Sequence, residues 1–342
     1  MTRLLKNLRT VVFPAIIIVA AFIIAATAGV FSAAPERSET VTVTIEHGMG
    51  AGSISMMLEE RGLINSARWF KLYSRLYGLS ASFKAGDHSL EPGLSTTEIA
   101  RLLTEIPPLP PDLRITIIEG LTIDETAASL AAQTGIDSSA IAVLTHDKDF
   151  AKTLGVDKAT LEGYLYPDTY FIRPESSAKE LLKRMTRQFH AVFVDSLKVR
   201  AEEMGMMVDE VVTLASIIEQ EVNLDEERPL VSSVFHRRLK RKRPLEANPT
   251  IQYALGEKRR VLYEDLELDS PYNTYKYAGL PPGPIASPGR KSILAALYPA
   301  DTKYLYFVSD TKGGHVFSRN ITEHNRAVRK YRKLMRNARL RK

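Results

Sequence analysis

The chain has 342 residues, a net charge of +6 and no cysteine. The missing cysteines exclude disulfides, a thiolate nucleophile and any cysteine-ligated metal. Its hydrophobic fraction, 44%, is that of ordinary globular material. After an apolar N-terminal stretch, about 300 residues are left, enough for two domains or so.

The first 34 residues have the pattern of a membrane anchor. Residues 1–10 carry three basic side chains and no acid, and residues 11–34 are apolar and uncharged. About 20 apolar residues cross a bilayer core, so this stretch is long enough. A cleaved signal peptide is the alternative, because residues 32–34 read Ser-Ala-Ala, but the length of the apolar run and Pro35 count against it.

We therefore predict a single-pass transmembrane helix in the inner (plasma) membrane. The basic residues 1–10 form a cytoplasmic tail, because positive flanks stay on the cytoplasmic side. Everything after residue 35 is then exported to the periplasmic or extracellular side.

Residues 41–106 predict a small α/β unit. Alternation of apolar and polar residues indicates strands, and Ser95 with Glu98 forms a capping box that opens a helix. The predicted order is strand 41–45, helix 53–62, helix 66–77, strand 83–90 and helix 95–106. Four prolines within residues 107–112 cannot continue a helix, so we expect a stiff linker there.

Residues 113–326 predict a larger mixed α/β domain, and residues 327–342 a basic C-terminal helix or tail. Together with the small unit this makes the fold class α+β. The expected elements are strand 113–119, helix 122–135, a long helix from residue 177, helix 211–222, basic helix 228–242, irregular chain 244–290, strands 304–309 and 315–317, and a final basic helix from residue 322.

Glu219 is the first candidate for chemistry. It follows an apolar run in helix 211–222, and loss of hydration there would raise its pKa and make it a general acid. Glu221 lies about 200° further round the helix and is a rival. A structural ion pair, for example with Arg228, is at least as good an explanation of either carboxylate from the residues alone.

Polar and rigid segments around this helix suit a saccharide cleft. Asn248, Thr250, Asn273 and Tyr275 offer amide and hydroxyl groups, although each could instead cap a helix or close a turn. The loop at 279–289, which contains Pro284 and Ile285, has little backbone freedom and could be a cleft wall or a rigid connector. The aromatic run at 164–171 suits sugar stacking, but core packing is the better explanation of any single ring.

Several chemistries find no support. His315 and His324 lack metal-ligand spacing, so we predict no catalytic metal and no cofactor. Neither a GxSxG nor a Walker-type loop occurs, which argues against serine hydrolase and nucleotide chemistry. The basic stretches at 237–243 and 326–342 are better explained as solvated faces, or as contacts to anionic lipid or wall polymer, than as nucleic-acid sites.

Six motifs in order resemble the membrane-anchored endolytic murein transglycosylases, the YceG-like or MltG family. They are LEGYLYPDTY (161–170), LASIIEQE (214–221), NPT (248–250), YNTY (272–275), GLPPGPIASPG (279–289) and YLYFVSDTKGGHVFSRNITEHN (304–325). The resemblance covers most of residues 113–326, and residues 41–106 resemble the family's LysM-like subdomain. Glu246 and Asn248 depart from the Gln and Asp usual in the family.

The resemblance implies a lytic transglycosylase that acts inside nascent peptidoglycan strands. Glu219 would protonate the bond between N-acetylmuramic acid and N-acetylglucosamine and then take the proton of the muramyl 6-hydroxyl, which leaves a 1,6-anhydro end. Such cleavage near the membrane would limit glycan chain length. The residues expected to position the strand are Ser216, Asn248, Thr250, Asn273, Tyr275, Pro284, Ile285, His315 and Asn325.

The resemblance also implies glycan strands, the membrane and cell-wall synthases as partners. Two alternatives remain beside it. One is a non-catalytic peptidoglycan-binding scaffold of the cell-wall synthesis machinery, and the other is a hydrolytic muramidase, which needs two flanking carboxylates.

Overall fold

The computed structural model describes residues 39–108 and 112–339, which divide into two compact units at the boundary between Asp112 and Leu113. The predicted cytoplasmic tail and anchor, residues 1–34, lie outside the described residues, as do residues 109–111 of the predicted linker. Within the part that is described, no helix has the length and apolarity needed to cross a membrane.

The N-terminal unit is built on one antiparallel strand pair. Strand β1 (Val41–Ile45) pairs with β2 (Gly86–Leu90), with Val41 opposite Leu90. Helices α1 (Ala51–Glu60) and α2 (Ala67–Leu76) lie between the strands in sequence, and α3 (Thr96–Glu105) follows them. Alternation in β1 sends Val43 and Ile45 into the core, as the sequence predicted.

The predicted elements of this unit are present with small shifts at their ends. The capping box of Ser95 and Glu98 is formed in full at the start of α3. Strand β2 begins at Gly86 rather than at residue 83. Gly86 has φ of +127°, and a Cβ on it would come within 2.6 Å of Pro108. The strand therefore starts at the residue where only glycine fits.

The C-terminal unit is mainly helical. Its elements in chain order are β3 (Leu113–Thr116), α4 (Ile123–Thr134), α5 (Ser138–Thr145), α6 (Lys148–Thr153), β4 (Thr169–Ile172), α7 (Ala178–Val192), α8 (Asp195–Glu203), α9 (Val208–Glu221), α10 (Arg228–Lys240), α11 (Asn248–Leu255), α12 (Arg290–Leu297), β5 (Tyr306–Ser309), β6 (His315–Ser318) and α13 (Ile321–Arg339). Two antiparallel pairs, β3 with β4 and β5 with β6, are its only sheets among the described residues.

One sequence prediction for this unit is wrong, and the core-packing explanation of the aromatic run is confirmed. The stretch 244–290 was expected to be irregular but contains helix α11, whose Pro249 falls in the first turn, where its missing N–H does no harm. The rings of Tyr164, Tyr166 and Tyr170 are buried in the main hydrophobic core. They therefore form core packing and not an exposed sugar-binding wall.

Helix α9 is the centre of this unit. Its residues from Val211 to Ile218 are all buried, and it packs against α12. A helix that is apolar on almost every side must be surrounded by other elements. Its two carboxylates, Glu219 and Glu221, occupy the last turn, where the chain leaves the core.

Candidate active site

The last turn of α9 presents its two carboxylates to different surroundings. Successive helical residues are about 100° apart, so Glu219 and Glu221 point in roughly opposite directions. Each carboxylate therefore has its own set of neighbours.

Glu219 is enclosed and fully paired. Its Oε1 accepts a hydrogen bond from Arg228 Nη1 at 2.9 Å, and side-chain exposure is only 6% for the glutamate and 8% for the arginine. Its Oε2 accepts from the backbone N–H of Gly289 at 2.9 Å. This is the arginine pairing that the residues alone had left open, and both oxygens are occupied by hydrogen-bond donors.

The backbone around Gly289 is tightly packed against acidic groups. A Cβ on Gly289 would lie 1.9 Å from Oε1 of Glu119, so only glycine fits there without movement of that side chain. Burial raises the pKa of Glu119, and the negative charge of Glu219 raises it further, while Arg228 and Lys291 oppose the shift. The glutamate pair thus shares the positive charge of Arg228.

Glu221 is the carboxyl group without a partner. Its Oε2 is fully enclosed and has no hydrogen-bond partner, although part of the residue remains accessible to solvent. Burial raises its pKa from the ordinary value of 4.5 to about 7, and the nearby charge of His315 opposes that shift. Its position at the C-terminus of α9 acts in the same direction as burial, because the negative end of the helix dipole disfavours a carboxylate.

His315 connects Glu221 to a second acid. Its Nδ1 lies 2.7 Å from Oε2 of Glu227, and its backbone N–H donates to Oε1 of the same carboxylate at 2.9 Å. Both side chains are largely buried, with exposures of 10% and 13%. The two contacts fix the orientation of the imidazole, the usual arrangement for a histidine beside a carboxylate.

Tyr275 links Glu221 to a surface groove of about 960 Å³. Its hydroxyl donates to Oδ1 of Asn248 at 2.7 Å, and both residues line the groove. The pKa of Tyr275 is raised to about 12 by burial and then by the charges of Glu221 and Glu246. Tyr275 and Asn248 are thus the predicted binding residues that the structure brings to an accessible cleft beside an enclosed acid.

Four other predicted binding residues lie behind this surface. They are Ser216, Thr250, Asn273 and Pro284, all of which are buried. The polar side chains among them make their hydrogen bonds within the protein. Ser216 Oγ donates to the carbonyl of Thr213 and accepts from the backbone N–H of Ile285, for example.

Thr250 and Asn273 are engaged in the same way. The hydroxyl of Thr250 donates to the carbonyl of Ala247 at 2.8 Å and lies 2.9 Å from the hydroxyl of Thr274. Asn273 donates to the carbonyls of Leu266 and Leu268 and accepts from two backbone N–H groups. These side chains therefore hold the cleft backbone in place and have no atoms left for a ligand.

Ile285 lines a separate cavity of about 450 Å³, together with Glu162 of the LEGYLYPDTY motif. Burial raises the pKa of Glu162 to about 7; its Oε2 accepts from Ile123 N–H and from the Tyr253 hydroxyl, and its Oε1 has no partner. Asn325 is exposed near the start of α13. Among residues 39–108 and 112–339, no cluster of three potential metal ligands exists.

The sequence singled out the last turn of α9 and put Glu219 before Glu221. Glu227, Glu119 and Glu162 were not singled out, because their importance comes from contacts with residues far away in the chain. The sequence had indicated Glu221 as the alternative acid and Arg228 as a possible ion-pair partner of either carboxylate. Helical periodicity separated the two carboxylates, but the residues that each of them faces belong to distant segments.

The chain is similar to several known proteins. The model of the YceG-like family matches residues 43–330. A Bacillus subtilis (strain 168) protein named endolytic murein transglycosylase is 37% identical over 312 residues, which cover 86% of this chain and 86% of that protein. A protein of the same name from Streptococcus pneumoniae R6 is 30% identical over 84% of this chain and 58% of its own, longer, sequence.

A solved structure shows the same fold. The crystal structure of a yceG-like protein from Listeria monocytogenes superposes with a TM-score of 0.59 and 34% sequence identity. The match covers 84% of this chain and 98% of the Listeria chain.

Proposed function

Because the chain belongs to the YceG-like family, we propose that it is an endolytic murein transglycosylase that cuts within peptidoglycan glycan strands. The relatives that carry this name match almost the whole described chain. The observation that supports the chemistry most directly is the enclosed, unpartnered carboxyl group of Glu221, whose pKa of about 7 keeps much of it protonated near neutral pH.

Glu221, rather than Glu219, is the general acid in this proposal. A general acid must hold a proton and have a free oxygen to offer to the leaving group. Glu219 has no free oxygen, because both of its oxygens accept hydrogen bonds from Arg228 and Gly289. Glu219 instead positions the loop 279–289 through its bond to the Gly289 N–H group.

The reaction needs one carboxyl group used twice. Glu221 donates its proton to the glycosidic oxygen as the bond from C1 of N-acetylmuramic acid to O4 of N-acetylglucosamine breaks. The resulting carboxylate takes the proton of the muramyl 6-hydroxyl as O6 bonds to C1, which leaves a 1,6-anhydro end and restores the acid. No water enters and no net proton is consumed.

A single-acid site favours this route over hydrolysis. Glycoside hydrolysis generally uses two carboxyl groups that flank the bond. Burial and the charge of His315 are the two influences on the pKa of Glu221. In the proposed route the muramyl 6-hydroxyl of the substrate is the nucleophile, so a second carboxylate is not needed.

His315 and Glu227 support the acid. When Glu221 has given up its proton, positive charge on His315 stabilises the new carboxylate, and Glu227 stabilises that positive charge. Asn248 and Tyr275, which meet at the groove, are proposed to bind the strand, and Asn325 is a further proposed contact. Ser216, Thr250, Asn273, Pro284 and Ile285 shape the backbone that surrounds them.

The cellular setting is proposed from the sequence. The apolar residues 11–34 anchor the protein in the plasma membrane, with a cytoplasmic N-terminus and an exported body. The N-terminal unit, whose β–α–α–β order resembles LysM domains, holds glycan. Cleavage close to the membrane would then act on newly made strands and bring the enzyme near cell-wall synthases.

Product analysis tests the proposed reaction. Purified protein is incubated with uncrosslinked glycan strands, and the ends are identified by mass spectrometry. We expect internal cuts with 1,6-anhydro-muramyl ends from the wild type and none from Glu221→Gln, while Glu219→Gln keeps the same product type. Reducing ends would indicate a muramidase, and no new ends would indicate a binding scaffold. If Glu221→Gln still made anhydro ends and Glu219→Gln made none, the general acid would be Glu219.

A further inference from the structure

The groove beside Tyr275 has an unusual charge distribution. Its lining includes Arg260 from the segment after α11 and two arginines of the terminal helix α13, Arg332 and Arg336. Among the residues that the structure describes, no Asp or Glu lines it. A concave surface that carries three positive charges and no negative one attracts anions.

These arginines are not used by the fold. Among the described residues, none of the three makes an ion pair, and Arg332 reaches only the hydroxyl of Tyr263, at 3.5 Å. The neighbouring Arg259 differs, because it binds Asp265 through both terminal nitrogens at 2.7 Å. Arg259 is therefore structural, whereas the guanidinium groups of the three groove arginines remain available for a ligand.

The position of the groove connects it to the proposed chemistry. Asn248 and Tyr275 line it, and Tyr275 is the residue whose pKa responds to Glu221. The proposed strand-binding residues Asn248 and Tyr275 thus share one groove with the three arginines. The volume, about 960 Å³, is at the upper end of the range of roughly 300–1,000 Å³ for ligand sites.

We infer that this groove binds the carboxylates of the peptide stems carried by the glycan strand next to the cleaved sugar pair. The inference rests on the proposed function, because that function identifies the polymer. Guanidinium groups bind carboxylates through paired hydrogen bonds. The exposed side chains of Tyr263, Leu262 and Met335 offer apolar surface for the aliphatic parts of a stem.

Three substrates and two variants test the inference. The substrates are strands whose stems have free carboxylates, strands whose stem carboxylates are amidated, and strands stripped of stems, which expose the lactyl carboxylate of each muramyl residue. The test variant is R260Q/R332Q/R336Q in the full chain. The matched control, R329Q/K330Q/K333Q, removes three charges from the same helix α13 at positions that do not line the groove.

We expect KM of the test variant to rise about tenfold on strands with free stem carboxylates, as the loss of charged hydrogen bonds implies. KM should not change on the amidated strands, and the control should match the wild type on all three. An equal rise on every substrate, or no rise on any, would overturn the inference. A rise confined to the stripped strands would assign the groove to the lactyl carboxylate and overturn the stem assignment.

A binding measurement separates this inference from the proposed reaction. Co-sedimentation of Glu221→Gln with the same three substrates, with and without the arginine substitutions, measures the groove without catalysis. If the wild type made no anhydro ends, the proposed reaction would fail while the binding comparison still decided the inference. If the protein makes anhydro ends but does not bind strands with free stem carboxylates selectively, the proposed reaction stands and the inference fails.

Discussion

Replacing Glu221 by Gln should abolish strand cleavage and at the same time stabilise the protein at alkaline pH. Glu221 has no hydrogen-bond partner at Oε2, and burial raises its pKa from 4.5 to about 7. A carboxyl group of this kind is tolerated in the folded protein when it is protonated and is unfavourable when it is charged. Glutamine keeps its size and removes the titration.

The size of the effect follows from the two pKa values. A raised folded-state pKa contributes no penalty below the unfolded value, a growing penalty between the two values, and a constant penalty above the folded value. One pKa unit corresponds to about 1.4 kcal/mol, so a rise of roughly 2.5 units destabilises the wild type by about 3 kcal/mol at high pH. About 2 kcal/mol of this should develop between pH 5 and 7.

Urea unfolding of wild type and Glu221→Gln at half-unit steps from pH 5 to 9 measures this difference. The stability of the variant relative to the wild type should increase across the range and level off above pH 7. Cleavage by the wild type should fall as pH rises through about 7, because the acid form is lost. The activity of the variant should be lower by about 10²–10⁴-fold, the usual contribution of a general acid.

Glu162→Gln is the matched control, because burial also raises the pKa of Glu162 to about 7. It should show a similar pH-dependent gain in stability and keep the wild-type pH profile of cleavage. The reasoning fails if the stability difference between wild type and Glu221→Gln is independent of pH. It also fails if wild-type cleavage is unchanged between pH 6 and 9.

Three further predictions concern the groups around the acid. Glu227→Gln should reduce kcat by about tenfold, the equivalent of one lost charged hydrogen bond. It should also move the alkaline limb of the pH profile of cleavage to higher pH, because His315 would then stabilise the carboxylate of Glu221 less. An unchanged pH profile would contradict this. Glu219→Gln and Arg228→Met should each lower the free energy of unfolding at pH 7 by about 3 kcal/mol, because a buried charge loses its partner. The double variant should lose clearly less than the sum of the two single losses. Additive losses in a double-mutant cycle would show that the pair is not coupled. Gly163→Ala should destabilise the protein by about 2–4 kcal/mol in urea unfolding, because φ at Gly163 is +80° and the added Cβ would lie 2.5 Å from Pro284; a change below 0.5 kcal/mol would contradict it.

Local signals predicted much of the secondary structure. Strand 41–45 and the capping box at Ser95 are confirmed, because alternation and capping depend on residues only a few positions apart. Helix α11 was not predicted, because residues 244–290 are rich in proline, glycine and asparagine. A proline in the first helical turn is compatible with a helix, and the sequence around it does not distinguish the two cases.

The family was predicted correctly from ordered motifs, which together fix both the class of protein and the segment that contains its carboxylates. What each polar motif residue does was not readable in the same way. Ser216, Thr250 and Asn273 have the chemistry of sugar-binding residues, yet their hydrogen bonds are made within the protein. Polarity in a sequence says that a group needs a partner and not whether that partner is backbone or ligand.

The sequence by itself determined the helix that ends in two glutamates, their opposite directions and the family to which the chain belongs. Only the tertiary structure gave the two carboxyl groups different surroundings. Arg228 and Gly289 bind both oxygens of Glu219, whereas Glu221 is left in a desolvated position near His315. The protonation state of a carboxyl group depends on the dielectric and the donors around it, and those are provided by residues that are distant in the chain.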